Sequence, residues 1–138
     1  MVVDTSALCT VLFGEPEASH FAALLSGPDR KLMSSVNSLE IGIVVEARLG
    51  EAGTRELANL MNIALIDVVP FDSGLSEVAL DAWRRFGKGR HPAGLNLGDC
   101  AAYALAKVTH QPLLFKGNDF SLTDLAAPAA LFSFPDKA

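Results

Sequence analysis

Short apolar runs alternate with helical stretches along the whole chain, and this alternation constrains the fold more than any other feature. The apolar runs are expected to form strands at residues 2–3, 31–34, 64–69, 113–115 and 130–134. The stretches between them have helical spacing, and we expect helices at residues 6–13, 16–25, 36–49, 54–61, 73–86 and 99–108. Because apolar strands separated by helices are typical of a parallel sheet covered on both faces, the sequence predicts an α/β fold.

The size and composition of the chain narrow its class. A length of 138 residues predicts a single domain over residues 1–138, large enough to bury a real core. Half of the residues are apolar and 20% are charged, which excludes a disordered chain. The net charge of −5 argues against nucleic-acid binding over the whole surface, although it leaves room for a local basic strip.

The two cysteines and the chain start give no sign of secretion. Cys9 and Cys100 fall in apolar helical stretches, where a small buried hydrophobe is the simpler interpretation. The opening Met-Val-Val-Asp lacks the basic segment of a signal peptide, and no apolar run approaches the ~20 residues of a membrane span. We therefore expect a reduced, cytoplasmic protein.

Four carboxylates adjoin segments that are expected to be buried. Asp4 and Asp119 follow apolar runs, Glu40 lies in an apolar helical stretch, and Asp99 stands at a helix start. Buried carboxylates are rare without a partner, and two charges ~4 Å apart repel by about 4 kcal/mol at an effective dielectric of ~20. Because ligands bind beyond the carboxyl ends of parallel strands, and because hard cations prefer oxygen ligands, these acids predict a Mg²⁺ or Mn²⁺ site.

Each acid, taken singly, also has a purely structural interpretation. Asp4 could cap the first helix, and Glu40 could close a capping box with Asn37. Asp99 would gain from a helix dipole, and Asp119 lies in a sequence typical of turns. Only their shared placement at one edge of the sheet favours the metal site.

The densest positive run of this acidic chain is at residues 84–91. Within it, Arg85, Lys88 and Arg90 are candidates for contacts with a phosphate backbone, because they surround flexible glycines just before Asp99. Lys116, beside Asp119, is a candidate for contact with the phosphate that is cut. The alternative is that the run is simply a solvated face.

The aromatic and histidine side chains of the same run have weaker functional interpretations. Phe86 could stack on a base, but a core role at the end of its helix is favoured. Trp83 is expected to serve in packing, and His91 is favoured as a structural or exposed residue over a general acid.

The sequence motifs of several other enzyme and signalling classes are absent from this chain. The chain has no Gly-x-x-x-x-Gly-Lys-Ser/Thr phosphate loop and no Gly-x-Ser-x-Gly elbow. A phosphatase or a receiver domain would need a second acid after the first strand, where only Asp4 stands. These classes therefore fit less well than a metal-dependent nuclease.

Four segments together resemble a known family. Residues 2–8, 34–40, 95–106 and 113–125 are similar, in order and over almost the whole chain, to the motifs of the PIN-domain ribonucleases, and specifically of the VapC-type toxins of bacterial toxin–antitoxin pairs. The resemblance implies a three-layer α/β/α fold with a central parallel sheet. It also implies Mg²⁺-dependent endoribonuclease activity, in which Mn²⁺ can substitute, with 5′-phosphate and 3′-hydroxyl products.

The resemblance assigns roles to residues of this chain. It implies that Asp4, Glu40, Asp99 and Asp119 hold the metal and carry catalysis, and that Thr5 or Ser6 supports Asp4. Asn118 is a further candidate supporting residue of the site; some relatives have another acid at this position, so a further acidic ligand is not expected there.

Partners are also implied by the resemblance. It implies a homodimer that is silenced in a heterocomplex by a cognate antitoxin, which places an Arg against the acids. Residues 22–25 and 58–63 are candidate grooves for it, although core packing is favoured for both. The rival hypothesis is a non-catalytic PIN-like module that binds RNA or protein. Transfer, ribosomal and messenger RNA all stay open as substrates.

Overall fold

The computed structural model describes residues 1–125, and its centre is a four-stranded parallel sheet. The strands run in the order β3-β2-β1-β4, and Val2 pairs with both Leu32 and Leu113. The strand bounds are Val2–Val3 for β1, Lys31–Ser34 for β2, Ile66–Val69 for β3 and Leu113–Leu114 for β4. The parallel sheet predicted from the apolar runs is therefore confirmed, whereas the strand expected at 130–134 lies outside the described residues.

Helices flank this sheet and complete the expected three-layer α/β/α arrangement. α4 packs on α5, and α1 packs on both α2 and α3. The helix bounds are Thr5–Leu12 for α1, Ala18–Leu25 for α2, Ser35–Ile63 for α3, Ser73–Phe86 for α4 and Leu97–Thr109 for α5, and a 3₁₀ turn is found at Asp119–Leu122. No helix in residues 1–125 is long and apolar enough to cross a membrane.

The helix α3 differs from the sequence expectation. Two helices separated by a loop were expected, but the chain kinks at Gly50, with φ 66° and ψ −158°, and continues to Ile63. Glycine takes this positive φ without a Cβ penalty. The helix therefore kinks at Gly50, where the sequence predicted that it would end. The next strand starts at Ile66 rather than at residue 64, because the chain leaves α3 through Ala64 and a left-handed Leu65.

The core lies between the sheet and the helices. Val2 and Val3 of the central strand β1, and Leu113 and Leu114 of the neighbouring strand β4, are fully buried. Cys100 is buried and Cys9 is partly buried, and burial raises the pKa of each thiol to about 11. Both thiols are therefore protonated at neutral pH, as expected of small hydrophobic residues.

Parallel strands all end at one edge of the sheet, and this geometry positions the acids. Asp4 directly follows β1, and its backbone N–H donates to the Leu114 carbonyl at 3.0 Å. Ser34 ends β2 and caps α3, the helix that carries Glu40. The chain beyond β4 leads through Phe115 to the turn before Asp119. The segments that follow β1, β2 and β4 thus carry acids towards the same edge.

Candidate active site

Asp4 is the buried acid of this edge, with 4% of its surface exposed. Its Oδ2 accepts hydrogen bonds from the backbone N–H of Ser6 at 3.1 Å and from the Ser6 hydroxyl at 2.6 Å. The Ser6 hydroxyl in turn accepts from the backbone N–H of Lys116 at 2.9 Å. Asp4 is thus the N-cap of α1, as the structural alternative predicted. Thr5 and Ser6 were the two candidates for supporting Asp4. Ser6 contacts Asp4, whereas the Thr5 hydroxyl donates to the Asn37 carbonyl at 3.4 Å.

Glu40 lies in the second turn of α3, against the start of α5. The capping box with Asn37 is wrong, because the N-cap of α3 is Ser34 and Asn37 lies inside the helix. A Cβ at Gly98 would stand 2.6 and 2.7 Å from the two carboxylate oxygens of Glu40. Glycine at this position therefore lets the Glu40 side chain lie directly on the α5 backbone, one residue before Asp99.

Asp99 is held by a reciprocal capping box. Its backbone N–H donates to the side-chain oxygen of Asn96 at 2.9 Å, and its Oδ2 accepts from the backbone N–H of Asn96 at 3.0 Å. The helix begins at Leu97, two residues earlier than expected, because Asn96 is its N-cap. The box satisfies two orphan N–H groups and fixes the carboxylate at the helix start.

The fourth predicted acid is on an exposed turn. Asp119 opens the 3₁₀ turn, and Gly117 before it has φ 102°, which only glycine adopts readily. Asn118 is also exposed, and its side chain makes no capping bond. Its backbone carbonyl accepts from Ser121 N–H at 3.1 Å, so Asn118 shapes the turn through its main chain.

The four acids influence one another electrostatically. Burial raises the pKa of Asp4 to about 7; the Ser6 hydrogen bonds oppose the rise, and the charges of Asp99 and Glu40 add to it. Burial also raises the pKa of Asp99, against its hydrogen bond with Asn96, and the charges of Asp119 and Glu40 reinforce the rise. Every one of the four therefore contributes to one negatively charged cluster.

No cation of the described residues compensates this cluster. Within residues 1–125, none of the Lys and Arg ion pairs involves any of the four acids. In the same part of the chain, no three His, Cys, Asp or Glu side chains are set closely enough to grip one metal ion as they stand. An all-oxygen donor set without a cationic partner fits a hard divalent cation.

The predicted RNA-binding cations divide into paired and available residues. Lys116 bridges Glu15 and Glu17, with Nζ 3.2 and 3.3 Å from their carboxylates. Arg85 pairs with Asp124 at 3.4 Å and with Asp81 at 3.9 Å. Because carboxylates already compensate their charges, Lys116 and Arg85 should attract a phosphate less strongly than unpaired cations do.

Lys88 and Arg90 have no carboxylate partner among residues 1–125. Lys88 lines a cavity of about 470 Å³ that also contains Trp83 and Asn96. The Arg90 guanidinium stacks 4.8 Å from the centroid of Trp83 and donates to the Arg84 carbonyl. Of the four predicted RNA-binding cations, Lys88 and Arg90 are therefore the two best placed for a phosphate backbone.

The aromatic residues partly depart from expectation. Phe86 packs against Tyr103 and His91, with centroids 5.9 and 5.2 Å away, which confirms its core role. His91 is structural, because its Nδ1 accepts from the Ala93 N–H at 3.0 Å. Trp83 is 39% exposed at the end of α4, so the packing role expected for it applies to only part of its surface.

Sequence reasoning missed an apolar strip beside the acids. Leu39, Ile43 and Leu97 are 66%, 60% and 82% exposed, and they line a cavity of about 430 Å³ together with Glu40. The signal was present in the sequence, since α3 carries apolar residues on more than one face. Of the grooves expected instead, the first contains Leu25, which is buried.

Asp124 fastens the segment that carries Asp119. One carboxylate oxygen accepts from the Tyr103 hydroxyl at 2.6 Å, and the other accepts from Lys107 at 2.6 Å and Arg85 at 3.4 Å. Hydrogen bonds from Lys107 and Tyr103 hold the pKa of Asp124 down at about 2, against the effect of burial. Asp124 thus ties this segment to both α4 and α5.

Removing this carboxylate is expected to loosen the segment. Asp124→Ala should lower the free energy of unfolding by about 1–3 kcal/mol, because it deletes charge-assisted hydrogen bonds. Amide hydrogen exchange should accelerate in residues 117–125. The matched control is Asp81→Ala, which removes only an exposed pair with Arg85. Equal effects of the two variants on stability and exchange would contradict the fastening role.

Comparison with known proteins agrees with this geometry. The PIN domain family model matches residues 1–125. Ribonuclease VapC30 of Mycobacterium tuberculosis is 49% identical over 129 residues, covering 94% of this chain and 98% of that protein. The crystal structure of Mycobacterium tuberculosis VapC20, a sarcin–ricin loop cleaving toxin, has a TM-score of 0.74 at 18% identity, covering 92% and 97%. A toxin–antitoxin complex from Klebsiella pneumoniae has a TM-score of 0.67 at 19% identity, covering 92% and 95%. These likenesses, over nearly full length on both sides, show that the chain belongs to the PIN-domain family as a VapC-type ribonuclease.

Proposed function

We propose that this protein is the endoribonuclease toxin of a toxin–antitoxin pair and hydrolyses RNA phosphodiester bonds with a divalent metal ion. The observation that carries the proposal is the cluster of four carboxylates at one sheet edge, with one acid buried and no Lys or Arg of the described residues paired to it. The 49% identity to Ribonuclease VapC30 supports the same reaction.

The four acids share one task in this proposal, and Ser6 supports one of them. Asp4, Glu40, Asp99 and Asp119 would hold Mg²⁺, for which Mn²⁺ can substitute. A divalent ion there supplies Lewis-acid stabilisation of the charge that develops on the phosphate, and it lowers the pKa of nearby water. Ser6 orients the Asp4 carboxylate through its two hydrogen bonds.

Proton transfer falls to the more accessible acids. Asp99 has a raised pKa and Asp119 is exposed, so either can accept the proton of the attacking water. Attack by water rather than by the ribose 2′-hydroxyl leaves a 5′-phosphate and a 3′-hydroxyl. That route needs no pair of histidines, and His91 is engaged in a structural hydrogen bond.

The direct test is cleavage of total RNA by protein freed of any co-purified partner. Discrete fragments should form with Mg²⁺ or Mn²⁺ and should be absent with EDTA, and end-labelling should detect 5′-phosphates. Cleavage that persists in EDTA would contradict the metal requirement. Folded protein that cuts no RNA with either ion would contradict the nuclease itself.

A non-catalytic module is the second candidate, and one observation favours it. No three acidic side chains in residues 1–125 are close enough to ligate one ion without moving. Such a module would bind RNA or protein but would produce no RNA fragments in the cleavage assay. The presence of all four acids argues against a decayed site, and a receiver-like role would instead require phosphorylation at Asp4.

We also propose an antitoxin as the protein partner. The structurally similar assembly from Klebsiella pneumoniae is a toxin–antitoxin complex, and this chain presents an exposed apolar strip of Leu39, Ile43 and Leu97 next to Glu40. An inserted Arg of the partner could pair with the acids. A homodimer, a single domain over residues 1–138 and a cytoplasmic location stay predictions from the sequence.

The available cations should govern how RNA binding depends on salt. In an Asp99→Asn background that prevents cutting, replacing Lys88 and Arg90 by Ala should flatten the slope of log Kd against log salt by roughly 1.4 for single-stranded RNA. Fluorescence anisotropy at several salt concentrations measures this slope.

Two variants control for general loss of charge. Arg85→Ala should change the slope less, because Arg85 is already paired with Asp124 and Asp81. Arg55→Ala, an exposed charge beyond the α3 kink, should leave it unchanged. An unchanged slope in the Lys88 and Arg90 variant would indicate that residues 84–91 are simply a solvated face.

A further inference from the structure

Asn37 is a fully buried polar residue that joins the segments of the site. Its side chain is 0% exposed. Its Nδ2 donates a hydrogen bond to the Gly98 carbonyl at 3.0 Å, and Gly98 directly precedes Asp99. Its backbone carbonyl accepts from the Thr5 hydroxyl at 3.4 Å, and Thr5 directly follows Asp4. One residue of α3 therefore contacts both α1, which Asp4 caps, and α5, which carries Asp99.

The contact with Gly98 also determines where Glu40 lies. Asn37 and Glu40 stand three residues apart on α3 and so share one helix face. Both lie against Gly98, the amide through its hydrogen bond and the carboxylate at the position that a Cβ would fill. The bond from Asn37 thereby sets how α3 rests on α5, and with it the separation of Glu40 from Asp99.

Stability alone gives little reason for an asparagine here. Its Oδ1 is buried and has no hydrogen-bond partner among the described residues. A buried acceptor without a partner is costly, and this cost offsets what the single hydrogen bond to the Gly98 carbonyl contributes to stability. What asparagine offers and leucine lacks is a donor that reaches the Gly98 carbonyl.

We propose that Asn37 is a positioning residue, which through Gly98 fixes how α3 lies on α5 and therefore how Glu40 is placed relative to Asp99, two of the acids proposed to hold the divalent cation. The proposal rests on the proposed metal-dependent function. Asn37 acts through its neighbours, because its Nδ2 binds a backbone carbonyl and its side chain is closed off from RNA.

The experiment compares Asn37→Leu with Thr10→Val, using protein free of any co-purified partner. Thr10 is equally buried, and its hydroxyl contacts the Ser6 carbonyl of its own helix turn at 2.8 Å and the Glu15 carboxylate, neither of which joins α3 to α5. Mn²⁺ binding without RNA is measured by the loss of the free-ion electron paramagnetic resonance signal. Asn37→Leu should weaken Mn²⁺ binding roughly 10- to 100-fold, as loss of a ligand-orienting contact does.

Activity and stability separate positioning from packing. Asn37→Leu should lower kcat with KM near the wild-type value, and its Tm in EDTA should equal or exceed that of the wild type. Thr10→Val should keep wild-type Mn²⁺ affinity. The shorter Asn37→Ser, which cannot reach Gly98 in the same way, should weaken Mn²⁺ binding as Asn37→Leu does.

Several outcomes would overturn the positioning role. These are wild-type Mn²⁺ affinity in Asn37→Leu, an equal loss of affinity in Thr10→Val, or failure of both Asn37 variants to fold. If the wild type binds Mn²⁺ and cuts RNA while Asn37→Leu does the same, only the role of Asn37 fails. If the wild type does neither, the proposed function fails first and the role of Asn37 falls with it.

Discussion

Asp99→Asn should abolish RNA cleavage while leaving the fold intact. The substitution keeps an oxygen that can accept from the Asn96 N–H, so the capping box at the start of α5 survives. It removes a charge that, in the proposed function, helps to hold the metal. Metal ions supply several kcal/mol of transition-state stabilisation, and a loss of ~4 kcal/mol corresponds to a rate about 1,000-fold lower.

The measurement is the initial rate on the RNA that the wild type cuts, at saturating Mg²⁺ and again at saturating Mn²⁺. Asp81→Asn is the matched control, because it makes the same change at an exposed acid whose partner is Arg85. Circular dichroism and Tm in EDTA should show a folded Asp99→Asn protein. Cleavage by Asp99→Asn at the rate of the Asp81→Asn control would show that Asp99 is not part of the active site.

The sequence predicted the sheet well, because its signals are local. Continuous apolar runs such as 113–115 have few alternatives to a buried strand, and three of the four acids were located from where such runs end or helices begin. The kink at Gly50 shows the limit of local signals: the sequence marked Gly50 as irregular, but the predicted helix end is wrong, because α3 continues beyond the kink to Ile63. Packing, not propensity, decided between a loop and a kink.

The side-chain contacts of the site were harder to predict, because they join residues far apart in the chain. Nothing near Glu40 in the sequence indicates that the distant Gly98 lies against its carboxylate. The pairing of Lys116 with Glu15 and Glu17 likewise depends on how α2 is placed. A charge pattern gives the sign of a surface, whereas only the fold says which charges neutralise each other.

The buried Asp4 predicts an unusual response of the metal-free protein to pH. Its pKa is about 7 in the folded state, against 3.8 for an ordinary aspartate, because burial disfavours its charge. The folded protein therefore holds this proton more tightly than the unfolded chain does. The stability that results is fully present below about pH 3.8 and is lost as the pH rises through 7.

Asp4→Asn removes this penalty, so it should stabilise the metal-free protein at pH 8. At ~1.4 kcal/mol per pKa unit, the gain has an upper limit of about 4 kcal/mol, and it should shrink towards zero near pH 4. Asparagine caps helices as well as aspartate does, so α1 should keep its N-cap. The free energy of unfolding in urea with EDTA, measured at pH 5 and at pH 8, checks this.

Asp72→Asn is the matched control for Asp4→Asn, since Asp72 is the exposed N-cap of α4 and accepts from the Leu75 N–H at 2.9 Å. It should change stability little at either pH, because its carboxylate is solvated. Adding Mn²⁺ at pH 8 should reverse the order, because the wild type gains binding free energy that Asp4→Asn largely lacks. A less stable Asp4→Asn protein at pH 8 in EDTA would mean that Asp4 serves α1 as a cap first, and that its charge is compensated without a metal.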